Sequence, residues 1–276
     1  MTQKSASGRW SDLGRRITSA AILLGIGLVL ALSTGVTLRL FMSCFVALTF
    51  WELANMTGWR HPSMHDTPFG RSRPMVLAGL AGVALMIALS DFSLWVLPIL
   101  AIPILAGLPG AISRDRLTYA VFGMAILLVG YGLVGMREEF GLPFVLWLIG
   151  AVFLSDILGY FAGKYFGGPK FWPAVSPKKT WSGTIAGWVG GVILGTLIWL
   201  SGHGDPALIW VTPMIIFAGQ MGDIAESWLK RRAGVKDSSN LIPGHGGFMD
   251  RFDAVSGAVL LVLLISLVMQ IPQLVF

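Results

Sequence analysis

The sequence predicts an all-α, polytopic integral membrane protein with about nine transmembrane helices. The chain is 55% hydrophobic and only 12% charged, whereas an ordinary soluble domain is about 25% charged. This number of polar residues is too small to cover the surface of a soluble protein of 276 residues. Lipid must therefore contact much of the surface of this protein. The apolar runs are also continuous, whereas the strands of a transmembrane β-barrel would alternate apolar and polar residues.

Nine apolar segments along the chain are the predicted membrane spans. Several are shorter than the roughly 20 residues that cross a bilayer, or contain Gly and Pro, which neighbouring helices can accommodate. The segments are 17–35, 38–56, 75–90, 92–108, 119–136, 144–166, 184–201, 207–230 and 254–275. We expect one integrated membrane domain, in which 1–140 forms a lipid-facing scaffold and 141–276 carries the catalytic loops.

Positive charges are distributed unevenly between the predicted loops. With the N-terminus inside, the inside segments 1–16, 57–74, 109–118, 164–183 and 230–253 contain 18 of the 20 Lys and Arg residues. Because Lys and Arg accumulate in cytoplasmic loops, we expect a cytoplasmic N-terminus and, after nine spans, an outside C-terminus. We expect a bacterial inner membrane protein whose short basic loops contact lipid head groups rather than nucleic acid.

Two further expectations concern packing within the membrane. Cys44, the only cysteine, lies in an apolar span and is expected to be a buried structural thiol. The small-residue run "GWVGG" at 187–191 would suit close helix packing, including the packing of two copies into a homodimer.

Acidic residues indicate where chemistry would take place. Asp223, Glu226, Ser227 and Lys230 fall at i, i+3, i+4 and i+7, so they share one helix face. A charged side chain at the membrane centre costs about 2.5–3.5 kcal/mol, so this face should meet water, a cation or a basic partner. Asp223 is therefore expected to be a cation ligand. For Glu226, an internal salt bridge to Lys230 is the alternative.

The segment 230–253, "KRRAGVKDSSNLIPGHGGFMDRFD", is a dense polar stretch between two apolar spans, and we call it the polar loop. Gly246 and Gly247 allow backbone N–H groups to approach an anion and permit a positive φ. Asp250 and Asp253, with Arg251 between them, suit a Mg²⁺ ion beside a phosphate. His245 has no second histidine at metal spacing, so zinc is not expected and contact with a phosphate is the alternative to a structural role.

A second polar segment, "VSPKKTWSGT" at 175–184, offers hydroxyl and ammonium donors on the same predicted side of the membrane. These donors are expected to bind a triphosphate, although lysines in such a loop could also serve only to set topology. Upstream, Asp156, Tyr160 and Lys164 fall at i, i+4 and i+8, so they share a helix face directed towards this segment.

The segment 227–253 resembles the signature of the phosphatidate cytidylyltransferases, also called CDP-diacylglycerol synthases. The positions that carry the resemblance are Ser227, Lys230–Arg231, Lys236–Asp237, Pro243-x-His245–Gly246–Gly247 and Asp250–Arg251-x-Asp253. The "SPKKTW" segment and the run from Asp156 to Gly167 are also similar to the family, so the resemblance covers about 155–253. One position departs from it, because Ser182 stands where members often carry Glu.

The resemblance implies an enzyme that joins CTP and phosphatidate, with Mg²⁺, and releases pyrophosphate and CDP-diacylglycerol. Under it we expect catalytic roles for Asp223, Asp250, Arg251, Lys230 and Asp237. Mg²⁺, with a second cation allowed, is expected to bind Asp223, Asp250, Asp253 and Asp156. The expected substrate-binding positions are Ser176, Lys178, Lys179, Thr180, Ser227, Arg231, Lys236, His245, Gly246 and Gly247.

Three other functions are alternatives to this one. A cation-coupled transporter also places acids in membrane helices, but predicts broken helices in two matching halves, whereas three of the four acids within the predicted spans here lie in the C-terminal half, Glu52 being the fourth. A CDP-alcohol phosphotransferase would carry several Asp in a short run beginning Asp-Gly, which this chain lacks. A CTP-dependent polyprenol kinase is the nearer alternative, and it would release CDP and a phosphorylated alcohol.

Overall fold

The computed structural model describes residues 32–58, 68–90, 95–242, 246–272 and 274. Most of these residues are helical. The helices are α1 (Gly35–Thr57), α2 (Pro68–Ala88), α3 (Val96–Gly107), α4 (Arg116–Glu139), α5 (Gly141–Tyr165), α6 (Trp181–Leu200), α7 (Leu208–Arg232) and α8 (Met249–Ser266). Two short 3-10 turns, Leu108–Gly110 and Ser113–Asp115, connect α3 to α4.

The helices follow the predicted spans in order, although α8 begins five residues before the predicted span 254–275 and ends nine residues before its end. Each predicted span from 38–56 onward overlaps one helix, whereas the first, 17–35, lies almost entirely outside the described residues. Within the described part of the chain, five helical segments are long and apolar enough to cross a membrane, namely α1, α4 with its preceding turn, α5, α6 and α7. The protein is therefore a multi-pass membrane protein, and the count of nine spans stays a prediction.

A two-stranded antiparallel sheet makes the all-α prediction incomplete. Strand β1 (Lys170–Trp172) pairs with β2 (Ser176–Thr180), and we call these two strands the hairpin. The lysines at 178 and 179 therefore lie on a strand rather than in an irregular loop. The chain turns back after α5 through Gly167 and Gly168, whose φ angles are 60° and 97°. Thr180 then begins α6, because its Oγ1 accepts a hydrogen bond of 3.3 Å from the backbone N of Gly183.

Helix α7 lies at the centre of the C-terminal half, where it packs against α5, α6 and α8. It approaches α8 closely because both helices carry glycine at the crossing. A Cβ atom added at Gly222 would overlap the backbone of Asp253 and Gly257, and one at Gly257 would overlap Ala218. Small residues of this kind let membrane helices pack at short range. The crossing therefore brings the polar face of α7 against the first turns of α8.

Ion pairs connect helix ends at both ends of the bundle. At one end, Nε of Arg232 in the last turn of α7 donates to Oδ1 of Asp115, which precedes α4, over 2.5 Å. At the other end, Arg39 near the start of α1 pairs with Glu138 near the end of α4 at 3.0 Å. The end of α7 and the start of α4, both predicted to be cytoplasmic, thus lie together. The orientation in the membrane stays a prediction.

The two packing expectations have different outcomes. Cys44 is exposed on the surface of α1, so the prediction of a buried thiol is wrong. Within the "GWVGG" run, Gly187 faces both α5 and α7, Gly190 faces Leu158 of α5, and Gly191 faces α7. These glycines pack inside the chain, and a homodimer stays a prediction.

Candidate active site

Three carboxylates from α7 and α8 meet next to the glycine crossing. One oxygen each of Asp223, Glu226 and Asp253 lies within 4.8 Å of the others. Mg²⁺ prefers oxygen ligands and commonly binds through one or two carboxylates together with substrate phosphates, so this donor set fits that ion chemically. We call these three residues the acid cluster.

Two lysines form ion pairs with the acid cluster. Nζ of Lys179, from β2, lies 2.5 Å from Oδ2 of Asp223. Lys230 pairs with Glu226 one turn earlier on α7, which is the salt bridge given as the alternative for Glu226, and also contacts Oδ1 of Asp250 at 2.6 Å. Each lysine can donate to an anion, so the cluster combines carboxylates for a cation with ammonium groups for phosphates.

Glu226 is the most unusual member of the acid cluster, because it is only 2% exposed. Among the described residues, its two carboxylate oxygens have no hydrogen-bond partner of good geometry. The ion pair with Lys230 is what offsets the cost of burying its charge. A buried carboxylate with unused acceptor positions is costly and favours a bound cation. This observation supports the fit of the acid cluster to a metal ion.

Asp250, a predicted metal ligand, has different surroundings. Its Oδ1 accepts from Lys230, and its Oδ2 accepts from the backbone N of Ser238 at 2.9 Å, from Oγ of Ser238 at 3.0 Å and from the backbone N of Gly247 at 2.8 Å. These contacts use both of its oxygens to hold the polar loop against α8. Its predicted catalytic and metal-binding roles stay predictions.

A polar cavity of about 370 Å³ lies between α5, the hairpin and α6, with Gln220 of α7 contributing to its wall. Four lysines line it together with Asp156, which lies here rather than in the acid cluster. Asp156, Tyr160 and Lys164 line the same cavity as Lys178, Lys179 and Thr180, so the predicted shared face is confirmed. The full lining is Ser155, Asp156, Gly159, Tyr160, Gly163, Lys164, Lys170, Lys178, Lys179, Thr180, Gly183, Thr184 and Gln220.

An apolar cavity of about 260 Å³ lies on the other side of α7, between α1, α4, α7 and α8. Glu226 and Asp253 are its acidic lining residues, and most of the others are hydrophobic. Val121 lines this cavity and is 57% exposed on the surface of α4. The acid cluster therefore lies between an apolar cavity and a polar one, connected to the latter through the Lys179–Asp223 pair.

The remaining predicted positions are more scattered. Ser227 donates from Oγ to Oδ1 of Asp223 at 3.4 Å, a weak contact that keeps it beside the acid cluster. Ser176 is on β2 but does not line the polar cavity. Four charged positions, Arg231, Lys236, Asp237 and Arg251, have exposed side chains.

The glycines of the polar loop follow the sequence expectation in part. Gly246 has a φ of 85°, as predicted for a turn that favours glycine. Gly247 lies so close to Glu52 and Ser238 that an added Cβ would overlap both side chains. His245 lies outside the described residues.

Ser182, the departure from the family pattern, donates to the backbone O of Gly167 at 2.5 Å and so joins the start of α6 to the turn that follows α5.

Sequence reasoning missed several polar residues around the site. Gln220 donates from Nε2 to Oγ of Ser155 at 3.1 Å and accepts from Nε1 of Trp188 at 2.9 Å, so it connects α5, α6 and α7 below the polar cavity. A lone amide in an apolar span is itself a usable signal, because an unsatisfied amide in lipid is costly. Lys170 and Glu52 were also missed as site residues.

Comparison with known proteins shows the family of the chain. Residues 14–269 match the model of the cytidylyltransferase family. The chain belongs to the cytidylyltransferase family. A relative in Brucella abortus, named phosphatidate cytidylyltransferase, is 31% identical over 268 residues, which cover 95% of this chain and 96% of the relative. Relatives of the same name in Pseudomonas aeruginosa and Staphylococcus haemolyticus are 34% and 31% identical and cover 90% and 87% of this chain, and 94% and 93% of their own lengths.

This cytidylyltransferase-family membership confirms the resemblance seen in the polar segments. It extends that resemblance well beyond 155–253, because the match begins at residue 14 and includes the N-terminal helices. The transporter and polyprenol kinase alternatives are not favoured by these matches.

Proposed function

We propose that the protein transfers a cytidylyl group from CTP to phosphatidate and produces CDP-diacylglycerol and pyrophosphate. The observation that carries this proposal is the position of the acid cluster between a lysine-lined cavity and an apolar cavity. CTP is a water-soluble anion, whereas phosphatidate is an anion with a large apolar part. The polar cavity suits the first and the apolar cavity suits the second. The relatives' shared name supports the same reaction.

The polar cavity is the proposed site of the CTP triphosphate. Lys164, Lys170 and Lys178 would contact phosphate oxygens from three parts of the chain, namely α5, β1 and β2. Lys179 is paired with Asp223, and it can exchange that carboxylate for a phosphate oxygen when the nucleotide enters. Ammonium groups act here as mobile point charges that neutralise a polyanion.

The apolar cavity is the proposed site of the lipid backbone and the adjoining part of an acyl chain. Its lining from α1 and α4 is hydrophobic, and its acidic end lies at the acid cluster. The exposed position of Val121 indicates that the cavity reaches the surface of α4, from which a lipid can enter. The phosphate of phosphatidate would then lie near Lys230 and close to the nucleotide.

The reaction itself requires approach of two negatively charged groups. A phosphate oxygen of phosphatidate attacks the α-phosphorus of CTP, a new P–O bond forms, and the bond to the β-phosphate breaks with release of pyrophosphate. The attacking oxygen is already ionised, so a strong general base is not required. Lysine contacts that increase as charge shifts to the leaving group would favour the transition state over the bound substrates.

Mg²⁺ is the proposed metal, held by Asp223, Glu226 and Asp253, with Asp250 close by. Bound there, it would supply charge neutralisation to the reacting phosphates. The proposed orientation, with the N-terminus inside a bacterial inner membrane, places the lysine-lined cavity on the cytoplasmic side, where CTP is present.

The test uses the purified full-length protein in detergent micelles with phosphatidate, Mg²⁺ and CTP labelled at the α-phosphate. We expect a labelled CDP-lipid and pyrophosphate in equal amounts. Label retained as CDP, with a phosphorylated polyprenol formed when that alcohol replaces phosphatidate, would instead identify the kinase. Cation flux into vesicles without consumption of CTP would overturn the proposal in favour of a transporter.

A further inference from the structure

Glu52 lies far from the acid cluster in the sequence and is completely buried, with 0% exposure. It stands in the last two turns of α1, in the half of the chain predicted to serve as scaffold. A carboxylate in this position is costly unless hydrogen bonds compensate for the lost water. Its contacts are therefore informative.

Four donors from the polar loop point at this one carboxylate. Oε1 accepts from Oγ of Ser239 at 2.6 Å and from the backbone N of Phe248 at 2.8 Å. Oε2 accepts from Oγ of Ser238 at 3.1 Å and from the backbone N of Met249 at 2.7 Å. Glu52 thus holds both ends of the segment 238–249, which contains the glycine turn of the signature.

The same contacts determine where α8 begins. Met249 is its first residue, and its backbone N–H and that of Phe248 are among the donors that a helix start leaves without intrahelical partners. A carboxylate that accepts them stabilises the helix start both by hydrogen bonding and by its charge. Asp250 and Asp253 stand in the first five residues of this helix, so their positions depend on its start.

A continuous set of contacts joins Glu52 to the acid cluster. Oγ of Ser238 lies within hydrogen-bonding distance of both Glu52 and Oδ2 of Asp250. Asp250 in turn contacts Lys230, and Lys230 pairs with Glu226. A shift of the loop at Ser238 would therefore be transmitted to Asp250 and Lys230.

We infer that Glu52 is a positioning residue for cytidylyl transfer, which fixes the polar loop and the first turn of α8 and thereby the carboxylates that face the substrates. This inference rests on the proposed function. Glu52 touches no reacting atom, and its effect passes through Ser238 and the backbone of Phe248 and Met249. The N-terminal half is thus part of the active site's support.

The chemistry of the four donors makes Glu52→Gln an informative variant. Glutamine keeps the size but replaces one acceptor oxygen by an NH₂ donor. The serine hydroxyl on that side can rotate to accept from it, but the backbone N–H of Phe248 or Met249 loses its acceptor. Loss of supporting contacts of this kind at a metal site commonly costs about 10- to 100-fold in affinity or activity. We expect a fall of that size in kcat and a rise in the Mg²⁺ concentration that gives half-maximal activity.

The experiment compares wild type, Glu52→Gln, Ser239→Ala and Glu138→Gln in the full-length protein. Glu138→Gln is the matched control, because it makes the same change at the Arg39 pair at the other end of α1. Hydrogen–deuterium exchange of peptides covering 238–249 provides a readout independent of activity. We expect faster exchange there and a weaker Mg²⁺ response for Glu52→Gln, a smaller effect of the same kind for Ser239→Ala, and neither for Glu138→Gln.

Two outcomes would overturn the inference. One is Glu52→Gln with wild-type kcat and Mg²⁺ dependence. The other is a loss of folded protein in Glu52→Gln together with normal kcat, Mg²⁺ response and exchange in Ser239→Ala, which would make Glu52 a stability residue only. The wild-type assay separates the two proposals, because absence of a CDP-lipid product from wild type would count against the proposed function itself.

Discussion

The two cavities beside α7 differ in almost every physical respect, although the acid cluster lies close to both. The polar cavity is lined by four lysines, one aspartate and several hydroxyl groups, whereas the apolar one is lined mainly by Phe, Val, Ile and Ala side chains. Charge would govern the proposed binding of CTP in the first cavity, and buried apolar area would govern the proposed binding of phosphatidate in the second. Under the proposed function, a change in one cavity should weaken the binding of one substrate only, whereas a change at the acid cluster should slow the reaction itself.

Asp223 is the residue at which the effects on the two cavities should not separate, because it belongs to the acid cluster and also pairs with Lys179 of the polar cavity. Asp223→Asn removes a negative charge from the proposed metal site without changing side-chain size. We expect kcat to fall by about 100-fold or more, as is typical when one charge-stabilising group is lost. Steady-state kinetics with both substrates varied checks this, with the melting temperature as control. Normal turnover would remove Asp223 from the metal site.

Lys178 tests the polar cavity alone, because it lines that cavity and no ion pair to the acid cluster is described for it. Lys178→Gln should raise the KM for CTP by about tenfold, since a hydrogen bond to a charged group contributes about 1.5–3 kcal/mol. The KM for phosphatidate should change little. An equal rise in both constants would show that the two cavities do not separate the substrates. Measurement at two ionic strengths sharpens the result, because charge interactions weaken with salt.

Ala125 tests the apolar cavity, which it lines from α4. Ala125→Leu fills part of that volume and should raise the KM for phosphatidate by several-fold, since overpacking costs about 1–3 kcal/mol. The KM for CTP should stay at its wild-type value. Gly135→Leu is the matched control on the same helix, because no neighbouring atom lies within 4 Å of the position that a Cβ would take there, and it should leave both constants unchanged. A selective rise in the KM for CTP would place the lipid elsewhere.

Removal of the Arg39–Glu138 pair should have the smallest effect on stability and activity. The pair lies away from both cavities, and its side chains are 26% and 34% exposed. Glu138→Gln should change the free energy of unfolding by less than about 1 kcal/mol, the range of exposed ion pairs. Neither KM should change. Thermal unfolding in detergent and the same kinetic assay check this. A large kinetic effect would mean that this end of the bundle communicates with the acid cluster.

The success of the sequence reasoning was greatest where the signal is local. Helix spacing predicted that Asp156, Tyr160 and Lys164 share one face, and that Glu226 can reach Lys230. Continuous apolar runs predicted the helices from α1 to α8. The hairpin was missed because its two strands are short and their pairing depends on a turn at Gly167 and Gly168 rather than on a long alternating pattern.

The contact partners of the acidic residues were the least predictable feature of the candidate site. Asp250 and Glu226 were given separate roles from their spacing, yet Lys230 contacts both. Glu52 was visible in the sequence as a lone acid in an apolar span. Its partners Ser238 and Met249 lie 186 and 197 residues away, and no short-range pattern connects them.

The amino-acid sequence by itself determined the membrane class, the position of the helices and the residue types available for phosphate chemistry, because hydropathy and helix periodicity act over a few residues. Only the tertiary structure decided which carboxylates meet, because that depends on the close crossing of α7 and α8 at Gly222 and Gly257. It also decided that α1 supports the polar loop, since a buried carboxylate takes its hydrogen bonds from whichever donors the packed helices bring to it.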